Sequence, residues 1–278
     1  LLIIALGFKI TKHISGKEVA AKVGLLLALL WFFPILSVRN LVELVCIPPL
    51  MYATWLLLKH KDEKTLRYFL LAGFVGGFAV AIRIQSILFL GGIGLVLLIW
   101  KKWQGAVLFG LTSFLAIFLS QLTDLFTWGY VFAEYREYIE YNILHSESYF
   151  TQPWYNFILL ICGVLIPPVS FFLVFGFLKS WKKHLLLFLP AFIFIVFHSY
   201  FPNKQERFIL PAIPFIVILG MVGWNQITNQ SEFWKKKSGW LSNSWKFFWV
   251  LNGFLLLFFT TTYSKRSRVE AMNYLYEK

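Results

Sequence analysis

The residues best equipped for chemistry in this chain are cations and carboxylates set at the ends of apolar runs. The stretch from His198 to Pro214 reads HSYFPNKQERFILPAIP and puts Lys204, Glu206 and Arg207 where an apolar run is about to begin. Two readings are open. Ionisable groups at membrane depth mark functional sites, while Lys and Arg near a helix end also serve as interfacial anchors. Arg39 and Glu43 stand four apart, the spacing at which helix side chains pair. They form either an ion pair that merely neutralises itself, or a phosphate-facing Arg39 oriented by Glu43. Arg83 has no acidic residue within four positions on either side. It needs a partner from elsewhere in the protein or a bound anion, and its planar fork suits phosphate because it bonds two oxygens at once.

Asp124 falls where an apolar run gives way to a polar stretch, in SQLTDLFTWGY. It is open to two roles: a catalytic or orienting carboxylate, or the cap of a short helix, since Asp is a favoured cap. After it, VFAEYREYIEYNI has helical period, with Phe132, Tyr135, Ile139 and Ile143 on one stripe and Glu134, Glu137 and Tyr141 opposite. That pattern predicts an amphipathic helix lying on a membrane surface. Trp128 and Trp154 suit an interfacial belt; they also suit stacking on a sugar ring or a lipid. The five His and two Cys (Cys46 and Cys162) show no metal-ligand spacing. There is no HExxH, no phosphate-binding Gly loop followed by Lys and no nucleophile elbow. No metal and no cofactor is therefore expected.

The elements that must position these groups are membrane spans. Hydrophobic residues make up 59% of the chain and charged ones only 14%, against about 25% charged in soluble domains. Apolar runs at 19–38, 41–58, 68–82, 84–100, 104–120, 157–178, 185–197, 208–223 and 247–263 predict about nine spans, since about 20 apolar residues cross a bilayer. A stub at 1–8 precedes them. The chain opens inside an apolar run without Met, so a preceding part with a first span and a first outer loop is expected. The expected organisation is one transmembrane domain over 1–278, with an outer loop at 121–155 carrying the interfacial helix and an outer motif loop at 198–207.

Alternate loops divide the charge unequally. One face holds 17 of the 26 Lys and Arg with four of the 13 acids, and the other holds the remainder. The basic face is cytoplasmic by the positive-inside rule. The net charge of +13 thus reports topology, and no nucleic-acid partner is expected. Arg39, Glu43, Arg83, Asp124, Lys204, Glu206 and Arg207 all fall on the other face. The active surface is therefore expected to be extracytoplasmic.

Several of these stretches, in order, resemble glycosyltransferase family 22, mannosyltransferases of N-glycan and GPI-anchor assembly. NKQERFILPAIP is similar to the family's HKEERFLLPxxP: Lys204, Glu206, Arg207, Phe208, Pro211 and Pro214 agree, and Asn203 and Gln205 stand where His and Glu are usual. Asp124, Gly129, Asn142, Pro153 and Trp154 match a family stretch that opens D-S-x-x-Y-G, passes an Asn and ends near H-P-W. Leu125, Trp128 and Gln152 depart from it. Arg39 and Glu43 resemble an R-x-x-x-E, and Arg83 an RPT-like turn with Ile84 in place of Pro. The resemblance covers most of 1–223.

The resemblance implies an all-α, multi-span GT-C fold. It also implies sugar transfer from a polyprenyl-phosphate sugar, such as the mannose donor, to a glycan or glycolipid acceptor, with inversion. Arg39, Arg83, Lys204 and Arg207 would hold the leaving phosphate, and Glu43 and Trp154 would contact substrate. Asp124 and Glu206 would be supporting carboxylates, because the family's acidic residue belongs to an HPDE-like motif in a first outer loop that this sequence does not contain. The partners would be membrane lipid, donor and acceptor. The location would be a bacterial inner membrane, favoured by the short loops, or the endoplasmic reticulum membrane. A flippase or transporter of lipid-linked sugars is the alternative from another class. Against it, the sequence has no internal repeat and its charges gather at span mouths. A structural segment without activity of its own is a third.

Overall fold

The structure is a computed structural model. It describes residues 1–278 except 40, 62, 64, 149–150, 263–265 and 278, and it leaves out the side chains of 266–269 and 277. Residue 263, the end of the last expected span, lies outside the described residues.

The described residues are mostly helical, with a single isolated β-bridge between Thr151 and Asn203. Apolar runs favour this, because backbone groups away from water must bond within their own segment. The first half contains α1 (Leu2–Ser15), α2 (Lys17–Leu29), α3 (Phe32–Ser37), α4 (Val42–Val45), α5 (Ile47–Lys59), α6 (Arg67–Ile82), α7 (Ile87–Ile99) and α8 (Trp103–Gln121). Then come α9 (Asp124–Thr127), α10 (Ala133–Leu144), α11 (Asn156–Val164), α12 (Val169–Lys179) and α13 (Leu185–Tyr200). A 3-10 turn at Glu206–Ala212 leads into α14 (Ile213–Gln230), followed by α15 (Glu232–Lys236), α16 (Ser238–Thr261) and α17 (Arg266–Glu277). The multi-span expectation holds, and α10 forms where the amphipathic period placed it.

The span count is less simple than nine uninterrupted helices. Among the described residues, four helices are long and apolar enough to cross a bilayer, five if the bent pair α11–α12 is one span, and three further apolar helices are shorter. The difference comes from breaks inside expected spans. The run 19–38 divides between α2 and α3. There Asn252 of α16 supplies the missing partners: its amide nitrogen donates to the Leu29 carbonyl at 2.8 Å, and its Oδ1 accepts from the Trp31 N–H at 2.9 Å. The run 157–178 divides at the expected Pro167–Pro168 kink into helices 119° apart. The run 41–58 still makes one spanning helix, Val42–Lys59, in spite of the turn at Cys46, where Pro48 and Pro49 open α5, positions that tolerate a missing N–H.

The body is held by close helix pairs, α6 on α8 and α12 on α14. At the first pair, Ser113 Oγ donates to the Gly73 carbonyl at 3.0 Å. A Cβ on Gly77 would come within 2.5 Å of the Ser113 carbonyl oxygen. Small residues let backbones approach in this way. A central helix, α14, is buried from Ile213 to Trp224.

The Gly77 contact gives a direct test. Gly77→Ala should force α6 and α8 apart and destabilise the protein by about 1–3 kcal/mol, the usual effect of overpacking. Gly91→Ala, where a Cβ meets nothing within 4 Å, should leave the thermal midpoint unchanged. Equal midpoints for both variants in detergent would contradict the close crossing.

Candidate functional site: a carboxylate between two guanidiniums

Three segments remote in sequence meet at one end of the bundle. Glu43 comes from α4, a single turn between the extended Leu41 and the proline-opened α5. Arg83 ends α6 with an extended backbone (φ −151°, ψ 110°) before the short 3-10 turn Ile84–Ser86. Arg207 lies in the 3-10 turn that precedes α14. Proline at 211 and 214 suits that arrangement, since each lacks an N–H for a continuous α-helical ladder.

Glu43 binds both cations through one oxygen. Its Oε1 lies 2.9 Å from Arg83 Nη1 and 3.3 Å from Arg207 Nε. Glu43 is 3% exposed and Arg83 5%, whereas about half of the Arg207 side chain is open. Arg207 Nε also donates to Gln205 Oε1 at 3.0 Å. The Phe208 ring lies beside both guanidiniums, 5.2 Å from Arg83 Cζ and 6.0 Å from Arg207 Cζ, within cation–π range. The Arg83 pair is close in distance but poorly aligned. Among the described residues, none of the three Arg83 side-chain nitrogens has a hydrogen-bond partner, and neither does Glu43 Oε2.

The cluster lines a cavity of about 650 Å³. Glu134, Tyr138, Tyr141 and Asn142 of α10 form another wall, at positions i, i+4, i+7 and i+8 of one helix face. Tyr135 anchors that wall: its hydroxyl donates to the Val80 carbonyl of α6 at 2.9 Å. Burial, then the nearby carboxylates Glu134 and Asp124, push its phenol up to about 12, so it stays a donor at neutral pH. Gln85 closes the gap from α10 to α7 by donating from its amide to the Tyr138 hydroxyl.

Two less polar cavities adjoin. One of about 700 Å³ has Trp31, Phe32, Leu160 and Phe259 among its apolar lining, with Arg39, Glu206 and Arg207 also on its wall. The other, about 310 Å³, is lined by Ile139 and Ile143 of α10 with Phe197 and Phe201. Arg207 therefore faces the polar cavity and the larger apolar one at once.

The structure sorts the expected site residues. Glu43, Arg83 and Arg207 come together, and Arg39 and Glu206 sit next door on the Arg207 side. The partners of Glu43 are Arg83 and Arg207 from other elements, where sequence spacing offered Arg39. Lys204, expected at a phosphate, has its ammonium against the carbonyls of Ser199 at 2.7 Å, Phe201 at 2.6 Å and His198 at 3.3 Å. It thus closes the C-terminal end of α13. Asp124 begins α9 and is buried, and its Oδ2 accepts from the Glu134 N–H at 3.1 Å in the first turn of α10. Trp154 is 56% exposed and packs edge-on against Tyr155. Gln85 and Tyr138 were not singled out from sequence, whereas Asn203, which also lines the polar cavity, stood out there only as a departure from the family motif. For the α10 wall the sequence offered the helical period that set Glu134 and Tyr141 on one face and the family match at Asn142.

The bundle of packed apolar helices has a GT-C-type membrane fold. The likeness to solved structures agrees. ArnT from Cupriavidus metallidurans bound to undecaprenyl phosphate superposes with a TM-score of 0.60 at 16% identity, over 90% of this chain and 46% of that one. Its apo form gives 0.59 at 18% identity, over 80% and 43%. The model of the Alg9-like mannosyltransferase family matches residues 2–278, and the chain belongs to that family. Curated relatives include GPI alpha-1,2-mannosyltransferase 3 of Danio rerio, 32% identical over 107 residues, which are 37% of this chain and 20% of that protein. A Dol-P-Man:Man(7)GlcNAc(2)-PP-Dol alpha-1,6-mannosyltransferase of Arabidopsis thaliana is 27% identical over 199 residues, 69% of this chain and 37% of that protein. The chain thus spans well under half the length of these relatives.

Removing the shared carboxylate tests the cluster. Glu43→Gln leaves a buried guanidinium without its counter-charge and should destabilise by about 3–5 kcal/mol, the usual effect of breaking one side of a buried pair. The double variant Glu43→Gln/Arg83→Met should recover part of that loss. Additive losses in a thermal-melt cycle would mean the pair is not coupled.

Proposed function

We propose that the protein moves a mannosyl group from a polyprenyl-phosphate donor to a hydroxyl of a glycan or glycolipid acceptor, on the extracytoplasmic face of its membrane. The observation that carries this reading is Arg207, shared between a polar cavity and an apolar one and held beside Arg83 by Glu43. A lipid-linked sugar phosphate has that same division: an apolar tail, an anionic joint and a polar ring. The larger apolar cavity suits the start of the chain, Arg39, Arg83 and Arg207 suit the phosphate, and the polar cavity suits the sugar. Family membership and the ArnT-like fold support the same class of chemistry.

In the reaction an acceptor oxygen forms a bond to the anomeric carbon as the bond from that carbon to phosphate oxygen breaks. Negative charge grows on the leaving phosphate. Fixed guanidiniums stabilise that charge with little reorganisation. A carboxylate takes the acceptor's proton. Asp124 is occupied at the start of α10, whereas Glu206 is exposed beside Arg39 and Arg207. Between these two expected carboxylates, Glu206 is the one with access to an acceptor. Membrane identity follows the loop lengths, which favour a bacterial inner membrane over the endoplasmic reticulum.

The test uses the full-length protein in nanodiscs with radiolabelled polyprenyl-phosphate mannose and crude lipid-linked acceptors. Arg83→Ala and Arg207→Ala should each lower transfer by about 100-fold or more, the scale seen when one stabiliser of developing charge is lost. Donor binding without transfer across a broad acceptor panel would instead point to a transporter.

A further inference from the structure

A further cavity lies at the far end of the bundle. It encloses about 340 Å³ between α2, α14 and α16, and no residue of the carboxylate cluster lines it. Asn225, on its wall, is 12 positions along α14 from Ile213, about 18 Å at a rise of 1.5 Å per residue. Arg207 lies beyond the other end of that helix.

The gap follows from the packing. α2 lies against α14, whereas α16 packs on α3, α12 and α15. Each of the three helices gives one face to the space left between them. Lys22 and Leu25 come from α2, Trp224 and Thr228 from α14, and Trp245 and Trp249 from α16, each pair at the spacing of neighbours on a helix surface. Leu25 lines the cavity and is also exposed, so the wall reaches the outer flank, where α16 shows Phe247, Val250 and Phe254. On a membrane protein that flank meets lipid. An apolar slot there takes what the bilayer holds, an acyl chain.

Lys22 sets the other requirement. Its ammonium lies 2.8 Å from Glu18, and both side chains are more than half exposed. So open an ion pair contributes little, and Lys22 can turn to another anion. The Thr228 hydroxyl is already bonded to the carbonyls of Trp224 and Asn225 at 3.1 Å. The Asn225 amide, half-buried, adds hydrogen-bond donors to the wall. The surroundings are basic as well. Helix α15, whose Trp234 ring meets that of Trp224 at 4.9 Å, ends in Lys235 and Lys236. Over 17–29 and 231–261 the chain has six lysines and two glutamates. That balance favours an anionic headgroup over a zwitterionic one.

We propose that this cavity binds an anionic phospholipid of the surrounding bilayer, with part of one acyl chain between Trp224, Trp245 and Trp249 and its phosphate on Lys22. The site is independent of the sugar-transfer reading, because it uses none of the residues of that reading. On the topology expected from the loops it lies at the cytoplasmic leaflet, which carries the anionic lipids.

The test is photocrosslinking of the full-length protein in phosphatidylcholine nanodiscs. The probes are phosphatidylglycerol and phosphatidylcholine bearing the same diazirine-tagged acyl chain, and peptide mass spectrometry locates the label. Labelling around Leu25, Trp245 and Trp249 should be about fivefold stronger with the phosphatidylglycerol probe, the preference that one lysine gives near an anionic lipid. The exposed Leu111 and Phe114 of α8 report general lipid contact and serve as the reference. Lys22→Gln should remove the preference and Lys22→Arg should keep it, with the reference labelling unchanged in both.

Equal labelling of the cavity by the two probes would overturn the proposal, as would cavity labelling no stronger than the reference. So would a Lys22→Gln protein that keeps the wild-type preference. An unlabelled cavity would also overturn it, since another segment of the full-length chain would then fill the space.

Discussion

One carboxylate in the place of a counter-ion holds this end of the molecule together. Arg83 is buried, and Arg207 approaches the same Glu43 oxygen from another turn. Two unit charges 4 Å apart interact by roughly 4 kcal/mol at an effective dielectric near 20. Without Glu43 that interaction is a net repulsion between two guanidiniums, one of them out of water. With it, three segments from 43, 83 and 207 are drawn to a single point. The walls of the polar cavity then follow from where those segments come from: the mouth of α4, the end of α6 and the turn before α14.

The architecture is unequal along its length for a related reason. In the body, α6 lies against α8 and α12 against α14 at glycine distances, and α14 is enclosed by its neighbours. At the charged end the helices stop early or break. Extended residues at Leu41 and Arg83, a single-turn α4 and a proline-bearing 3-10 turn replace continuous α-helix. Such breaks free backbone groups and re-aim side chains, which a membrane interior permits only where protein supplies new partners. Lys204 at the end of α13 and Asp124 at the start of α10 are such partners. These two charges therefore hold the scaffold on which the neighbouring arginines are displayed.

Arg207 gives the site its two-sided character. It borders a polar cavity on one side and a mostly apolar one on the other. Phe208, next to it, lies under both guanidiniums and reaches the second apolar cavity. A cation at such a boundary is suited to the joint of an amphiphile, where charge and tail meet. The helix α10 borders the same compartments: Glu134, Tyr135 and Tyr141 line the polar cavity, Ile139 and Ile143 line the apolar one, and Tyr138 and Asn142 border both.

Sequence alone determined the solvent and the class of fold. Those depend on composition and run length, both of which are local or additive along the chain. It also placed α10, because helical period survives whatever the helix packs on. Tertiary structure decided which charges are partners. The spacing of Arg39 and Glu43 allowed a local pair, but a buried carboxylate goes to the cations that reach it with least water, and those came from 40 and 164 positions away in sequence. Lys204 and Asp124 read as candidates for chemistry because their types fit it. Three-dimensional placement gave them to helix ends, where unpaired carbonyls and N–H groups were nearer than any cavity.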